Sequence, residues 1–208
     1  MPSLRMNQWL MSPAVKLLVW LLALLPAAWL VLGVFTDGLG ANPAETLIRS
    51  TGDWALRGLC VALAVTPLRQ WTGWSALARQ RRLLGLFAFF YVLLHATSYW
   101  VLDMGGNWQD VWIDVLQRPF ILVGVLAAVL LLLLAITSPK WVLRAMGGRR
   151  WQRLHQSIHV AAWLALLHFF WMRDAKNNVV EVAVYAGIVL ALQAWRVVHY
   201  LRSKRTQS

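Results

Sequence analysis

Acidic residues occupy only alternate gaps between the long apolar runs of this 208-residue chain. All eight Asp and Glu residues fall in the first, third and fifth gaps: Asp37, Glu45, Asp53, Asp103, Asp110, Asp114, Asp174 and Glu181. Fifteen of the 20 basic residues lie instead at the termini and in the second and fourth gaps: Arg5, Lys16, Arg69, Arg79, Arg81, Arg82, Lys140, Arg144, Arg149, Arg150, Arg153, Arg196, Arg202, Lys204 and Arg205. Cytoplasmic segments of membrane proteins retain an excess of Lys and Arg. The pattern therefore predicts a membrane protein with an even number of spans and both termini in the cytoplasm.

Six apolar runs approach or exceed the roughly 20 residues that a membrane-spanning helix needs. They lie near 14–35, 54–69, 83–102, 119–138, 154–172 and 182–201. The second run contains Arg57, and the fifth contains three histidines. The gaps between runs, each roughly 8–19 residues long, are too short for a folded soluble domain. We predict an all-α polytopic membrane protein with six transmembrane helices over 14–201, a cytoplasmic N-terminal segment over 1–13 and a basic cytoplasmic tail over 202–208.

The net charge of +12 indicates topology and contact with anionic lipid rather than nucleic-acid binding. A basic residue near an anionic leaflet contributes about 1 kcal/mol of membrane attraction. No basic aromatic surface exists outside the runs, so no nucleic-acid partner is predicted. The single cysteine, Cys60, excludes an internal disulfide, a four-cysteine iron–sulfur cluster and covalent haem attachment through C-x-x-C-H.

Two histidines are predicted to reach the same depth in the membrane. His95 follows Arg82 by 95 − 82 = 13 residues, and His168 follows Arg153 by 168 − 153 = 15 residues. At 1.5 Å per residue these distances are about 20 Å and about 22 Å from the inner boundary. Both spans run outward, so both side chains arrive in the outer half of the bilayer. They are candidate axial ligands for one haem iron.

Two other uses of intramembrane histidines stay open at this point, whereas a zinc site is disfavoured. A histidine can form interhelical hydrogen bonds that contribute about 0.6–2 kcal/mol, or it can relay protons. Zinc sites usually require three or four protein ligands, and no acidic residue or second cysteine lies at this depth. The residues alone do not choose between a bis-histidine haem site and a structural or proton-relay role.

His155 is a candidate ligand near the inner surface, because it follows Arg153 by only two residues. It precedes His168 by 168 − 155 = 13 residues, a spacing common in membrane cytochromes that stack two haems. On an ideal helix this spacing leaves the side chains about 140° apart. A second, inner haem would also need a ligand 13 or 14 residues before His95. Those positions are Arg82 and Arg81, whose side chains suit haem propionates better than iron.

His155 is therefore an iron ligand with another partner, or a hydrogen-bonding partner of a cofactor or quinone. His159, four residues later, is interpreted as a packing residue, and His199 as an interfacial residue. Arginines that qualify for propionate contact are Arg81, Arg82 and Arg153 at an inner haem, and Arg49, Arg118 and Arg173 at an outer one. Snorkelling to the interface is the alternative for each arginine.

Several short motifs occur in order along nearly the whole chain. They are Gly38-Leu39-Gly40-Ala41-Asn42-Pro43, Thr66-Pro67-Leu68, Arg81-Arg82-Leu83-Leu84-Gly85-Leu86, Leu94-His95-Ala96-Thr97-Ser98-Tyr99, Arg118-Pro119, Arg150-Trp151-Gln152-Arg153-Leu154-His155 and His168-Phe169-Phe170-Trp171. With these motifs the chain resembles the MsrQ family of haem-binding membrane subunits of methionine sulfoxide reductase systems. More distantly it resembles the ferric-reductase-like transmembrane superfamily, which includes NADPH oxidases.

The resemblance implies an inner-membrane cytochrome with one haem b or two, whose haem-associated histidines map onto His95, His155 and His168. It implies a periplasmic molybdenum-containing methionine sulfoxide reductase as the electron acceptor and repair of oxidised periplasmic proteins as the purpose. The implied donors are the quinone pool or a cytosolic flavin reductase, and FMN is a further implied cofactor.

The chain contains no G-x-G-x-x-G motif and no other nucleotide-binding pattern. Without a flavin or nicotinamide domain of its own, it is predicted to be an electron-transfer subunit rather than a complete enzyme. Three alternatives stay open: a ferric-reductase-type cytochrome, a proton-coupled transporter that uses the histidines as a relay, and a subunit that only anchors a periplasmic enzyme.

Overall fold

A computed structural model describes residues 2–174 and 179–205, and these residues form helices and turns without any strand. The ten α-helices of this described part are α1 Pro2–Leu10, α2 Pro13–Phe35, α3 Pro43–Thr72, α4 Leu77–Ser98, α5 Trp108–Gln117, α6 Pro119–Ile136, α7 Lys140–Met146, α8 Gly148–His155, α9 Ile158–Asp174 and α10 Val179–Arg205. A π-helical turn, Tyr99–Asp103, directly extends α4. The all-α prediction is confirmed for these residues.

Four of the predicted membrane spans are confirmed as helices long and apolar enough to cross a bilayer. They are Pro13–Phe35, Leu77–Asp103, Pro119–Ile136 and Val180–Lys204. The other two predicted spans, 54–69 and 154–172, fall mainly in α3 and α9, which do not meet the same criteria of length and composition. Whether those two helices also cross the membrane stays a prediction.

Prolines and capping side chains set the helix starts. Ser12 precedes Pro13, and its Oγ accepts a 3.3 Å hydrogen bond from the amide of Val15. Asn42 precedes Pro43 in the same way, and its Oδ1 accepts a 3.1 Å bond from the amide of Glu45. A proline at the first helical position loses no intrahelical bond, because that amide has no partner within the helix.

The chain forms two compact units, Met1–Asp114 and Val115–Ser208. In the first unit α3 packs along α4, and Leu56, Leu59 and Leu63 of α3 are buried. Gly58 permits close approach, since a Cβ built on it would lie 3.1 Å from the Cα of Ala88 in α4. Small residues at such contacts are the usual means by which apolar helices pack closely in membranes.

Within the first unit, Tyr91 of α4 connects this helix to α2. Its hydroxyl donates a 2.7 Å hydrogen bond to the carbonyl of Ala23 and accepts a 3.1 Å bond from the amide of Ala27. These are two backbone groups that an unbroken helix would join to each other, and Pro26 lies between them. A side chain inserted into the helical ladder beside a proline is one of the identifiable causes of a kink.

In the second unit α6 and α10 both pack against α9. Ala161 and Ala162 of α9 are 0% exposed, and so is Val189 of α10. Ala127 and Leu131 of α6 are also buried. Ala127, Ala161 and Ala162 are small side chains of the kind that let neighbouring backbones approach in membrane helix packing.

Three predicted boundaries are wrong in detail. Residues 43–53, expected in an outer loop, form the first turns of α3, and residues 108–117 of the expected outer loop 103–117 form α5. The predicted continuous helix 154–172 is broken by a turn at 156–157, so His155 ends α8 and α9 begins at Ile158. Residues 175–178 of the predicted loop 173–181 and 206–208 of the predicted tail lie outside the described part.

Candidate functional site

His95 lies near the end of α4, facing the first turns of α3. Its Nδ1 is 2.8 Å from the carbonyl oxygen of Ile48. A carbonyl oxygen only accepts hydrogen bonds, so Nδ1 carries the proton and donates it. In a neutral imidazole the lone pair for a metal then resides on Nε2.

A glycine makes room for the His95 ring. Gly52 lies one helical turn after Ile48 on α3, and a Cβ built on it would be 3.1 Å from Nδ1 and 3.2 Å from Cε1 of His95. These separations are tighter than ordinary contacts between a Cβ and its neighbours. A side chain at position 52 would therefore require the imidazole to shift by a few tenths of an ångström.

His168 in α9 repeats this arrangement in the second unit. Its Nδ1 donates to the carbonyl of Phe120 at 2.7 Å. Gly124 lies one turn after Phe120 on α6, and a Cβ built on it would be 2.8 Å from Nδ1 and 2.9 Å from Cε1 of the ring. His168 is thus oriented by the same two groups as His95, and its Nε2 likewise carries the lone pair.

These two histidines fit the requirements of axial haem ligands. Metal-binding histidines usually donate their second ring N–H to a carbonyl or carboxylate, which fixes the tautomer and raises ligand basicity. His95 and His168 both meet that requirement and both are half-buried on apolar helices. Within residues 2–174 and 179–205, no three His, Cys, Asp or Glu side chains form a cluster that suits a metal ion.

His155 is held differently. Its Nε2 lies 3.1 Å from Oγ1 of Thr137, which itself donates its single proton to the carbonyl of Leu133 at 2.6 Å. The ring stacks on Trp151 with centroids 3.8 Å apart, and the indole N–H donates to the Thr137 carbonyl at 2.8 Å. Since the Thr137 proton is directed to Leu133, Nε2 of His155 is the donor to Oγ1. In this arrangement the lone pair of a neutral ring lies on Nδ1.

The two remaining histidines contact other side chains. Nη1 of Arg196 lies 2.8 Å from Nε2 of His159, and because a guanidinium only donates, this ring nitrogen accepts. His199 is exposed and stacks on Trp195 with centroids 5.2 Å apart. Both contacts are consistent with the packing and interfacial roles predicted for these residues.

The arginines proposed to contact haem propionates differ in exposure and in whether an acidic residue pairs with them. Arg81 and Arg82 in the first turns of α4 and Arg153 in α8 are exposed. Two of the candidates for an outer haem have acidic partners: Nε of Arg49 lies 2.8 Å from Glu45, and Nη2 of Arg173 lies 3.0 Å from Glu181. Arg118, the third, is exposed at the residue that precedes α6.

Sequence reasoning missed both glycines that face the histidine rings. A signal existed, because Gly52 and Gly124 precede their histidines by nearly equal separations, 95 − 52 = 43 and 168 − 124 = 44 residues. An isolated glycine in a helical pattern usually has a packing or functional reason. The two carbonyl acceptors leave no trace in the sequence, since every residue carries one.

Comparison with known proteins gives the family. The model of the ferric reductase like transmembrane component matches residues 51–166, more than half of the chain. A protein of Polaromonas naphthalenivorans named "Protein-methionine-sulfoxide reductase heme-binding subunit MsrQ" is 54% identical over 97% of this chain and 93% of its own length. The chain belongs to the MsrQ family. The resemblance to the MsrQ family that the sequence motifs indicated is thereby confirmed.

Other relatives extend the MsrQ match. Proteins of the same name from Ralstonia nicotianae and Herminiimonas arsenicoxydans are 46% and 45% identical, each over 88% of this chain and over 85% and 84% of their own lengths. No solved structure matches the chain. As a member of the MsrQ family with a matched transmembrane component and several apolar helices, the chain is a membrane protein.

Proposed function

We propose that this chain is the haem b electron-transfer subunit of a methionine sulfoxide reductase system. In this proposal it passes electrons across the bacterial inner membrane to a periplasmic molybdenum-containing reductase that repairs oxidised periplasmic proteins. The observation that carries the proposal is the matched orientation of His95 and His168, each donating Nδ1–H to a main-chain carbonyl. The relatives named as heme-binding subunits support it.

The proposed ligand atoms are Nε2 of His95 and Nε2 of His168. Haem b, when bound, supplies a one-electron ferric/ferrous couple. The chain's own contribution is to hold two neutral imidazoles in a fixed tautomer within an apolar environment, which tunes the potential through ligand basicity and burial. That both rings serve one haem is proposed from their equal predicted depth, which in turn depends on the proposed topology of six spans with cytoplasmic termini.

His155 is the proposed protein group for the inner side, with Arg81, Arg82 and Arg153 as partners for propionates. Ligation through Nε2 would require the ring to leave Thr137, whereas ligation through Nδ1 or a hydrogen bond to a cofactor or quinone would not. The number of haems is therefore proposed as one, held by the outer pair, or two, with His155 at the second.

The proposed donor is either the quinone pool or a cytosolic flavin reductase, and FMN is a further proposed cofactor. The absence of a nucleotide-binding motif within these residues favours an external donor. Exposed basic residues on α7 and α8, including Arg144, Arg149, Arg150 and Arg153, provide a surface on which an acidic cytosolic donor could orient.

A pyridine haemochrome assay on the detergent-purified protein tests the proposal. We expect a b-type spectrum with one or two haems per chain and a Soret band in the intact protein. A colourless protein from cells grown with excess haem precursor would refute the cytochrome assignment. In that case a proton-coupled transporter or an anchoring subunit would explain the chain better.

A second candidate function is a transmembrane ferric reductase, because the matched family model describes a ferric reductase like component. That function would use the same haem-binding residues but deliver electrons to a ferric chelate. The spectrum does not separate the two functions, whereas the choice of oxidant does.

A further inference from the structure

Each unit contains the same three-part arrangement around one histidine. In the first unit, His95 faces a carbonyl at position 48 and a glycine at position 52. In the second unit, His168 faces a carbonyl at position 120 and a glycine at position 124. The carbonyl residue precedes its histidine by 47 residues in one unit and 48 in the other.

The spacing of carbonyl and glycine has a geometric reason. Residues four apart lie on the same helix face, about one turn of 5.4 Å apart along the axis. The ring can therefore lie against the glycine while its Nδ1 contacts the carbonyl of the residue four positions earlier. A side chain at the glycine position would cover the carbonyl and occupy the volume of the ring.

The glycine contacts are close enough to control the ring. At Gly124 a Cβ would lie 2.8 Å from Nδ1 of His168, and real Cβ atoms essentially never approach another heavy atom closer than 3.0 Å. At Gly52 the corresponding distance to His95 is 3.1 Å, at which the neighbour must shift by a few tenths of an ångström. The neighbour in each case is an imidazole whose short side chain leaves few ways to retreat.

We propose that Gly52 and Gly124 are positioning residues that set the direction of the imidazole planes of His95 and His168, and through them the redox potential of the bound haem. The proposal rests on the proposed function. Methyl groups at these positions would push the rings away and weaken the Nδ1–H bonds to the carbonyls. A weaker bond at Nδ1 lowers ligand basicity, which stabilises ferric iron less and shifts the midpoint potential upward.

The test compares Gly52→Ala and Gly124→Ala with matched glycines that face open space. Gly85 in α4 and Gly187 in α10 have no heavy atom within 4 Å of a built Cβ, so Gly85→Ala and Gly187→Ala are controls in the same two units. We expect unchanged spectra and potentials in the controls. Gly52→Ala and Gly124→Ala should both show shifted g values in the electron paramagnetic resonance spectrum of the low-spin haem. Both should also raise its midpoint potential, with the larger shift in Gly124→Ala.

A double substitution provides a readout that does not depend on haem. If Gly124→Ala acts through the ring, its cost to thermal stability should shrink in a His168→Ala background, where the clash is gone. The same should hold for Gly52→Ala with His95→Ala. Non-additivity of this kind identifies residues in direct contact. If Gly124→Ala alone fails to fold, recovery of folded protein in the double variant gives the same information.

Two results would overturn the proposal. One is a normal haem complement with g values and potentials of Gly52→Ala and Gly124→Ala equal to those of the controls. The other is full additivity of the glycine and histidine substitutions. If the unsubstituted protein holds no haem, the proposed function fails first, and this proposal falls with it; the first result leaves the proposed function intact.

Discussion

Tyr99 donates a 2.5 Å hydrogen bond from its hydroxyl to Oδ2 of Asp114, and the Asp114 residue is only 7% exposed. Tyr99 opens the π-helical turn that extends α4, one turn beyond His95 on the same helix face. Asp114 lies in α5. The pair therefore links α5 to the helix that carries a proposed ligand.

Neutralising Asp114 should destabilise the protein, whereas neutralising Asp110 should not. Asp110 is exposed on the same helix and accepts a 2.9 Å bond from Asn107, which an asparagine oxygen at position 110 can still accept. We expect Asp114→Asn and Tyr99→Phe each to cost about 1–3 kcal/mol, since each weakens a buried hydrogen bond. Asp110→Asn should stay within about 0.5 kcal/mol. Thermal aggregation in detergent measures the difference, and equal stability of the two Asp variants would contradict it.

Exposed acidic groups on the outer segments should affect the encounter with a reductase partner. Charges at the rim of an interface mainly change the association rate and its salt dependence. Stopped-flow oxidation of the dithionite-reduced protein by a periplasmic molybdenum-containing methionine sulfoxide reductase should slow in Asp110→Asn, with the haem spectrum unchanged. If the partner leaves the rate unaltered while a ferric chelate accelerates it, the ferric reductase function should replace the proposed one.

Removing either proposed axial ligand should abolish most haem binding. We expect His95→Ala and His168→Ala each to lose the low-spin haem, because the iron would keep only one protein ligand in an apolar environment. His159→Ala and His199→Ala are matched controls, since Arg196 and Trp195 contact these rings. Haem per chain, measured as the pyridine haemochrome, checks the prediction. A normal spectrum in His95→Ala would exclude the bis-histidine assignment.

Substituting His155 should reduce the binding of at most one haem, even if the protein holds two. Because its Nε2 is directed to Thr137 and its ring is stacked on Trp151, its substitution leaves the groups around His95 and His168 in place. We expect His155→Ala to retain at least half of the haem of the unsubstituted protein. Thr137→Val removes the hydroxyl that accepts from Nε2 of His155. It should likewise retain at least half of the haem of the unsubstituted protein. Complete loss of haem in His155→Ala would show that this residue supports the outer site as well.

The N-terminus and the connection between α3 and α4 should lie on one side of the membrane. Oδ1 of Asn7 accepts a 3.0 Å hydrogen bond from the amide of Ala76, and Gln80 donates to the carbonyl of Leu10 at 3.2 Å. These contacts bring the two segments together, and the basic residues of both segments predict a cytoplasmic location. Reporter fusions at Asp110 and after Ser208 should report periplasm and cytoplasm, respectively. An externally accessible C-terminus would contradict the predicted topology and the depth assigned to the histidines.

The apolar runs predicted the helices well, since burial of long apolar segments in lipid leaves the backbone few alternatives to a helix. The predicted spans 14–35 and 119–138 differ from α2 and α6 by only one or two residues at any end. Shorter features depend on tertiary contacts. The turn after His155 accompanies the bonds of Trp151 and His155 to Thr137, the residue that follows α6, and no local pattern of apolar residues records these bonds.

The candidate ligands were predictable from residue type and depth, whereas their orienting groups were not. Nδ1 of His95 and Nδ1 of His168 are directed by main-chain oxygens, whose positions follow from helix packing alone. The position of Asp114 was not predictable either. Its neighbour Asp110 is exposed, whereas α5 turns Asp114 inward against Tyr99.

The use of backbone carbonyls to orient both histidines has a consequence for how the chain tolerates genetic variation. Almost any amino acid at positions 48 and 120 still offers the same acceptor atom, although the ring of Phe120 also contacts that of His168. A saturation mutagenesis screen would therefore report Gly52 and Gly124 as intolerant and would not reveal the carbonyl groups of residues 48 and 120. The groups that direct the two imidazoles are, in this sense, protected from point mutation.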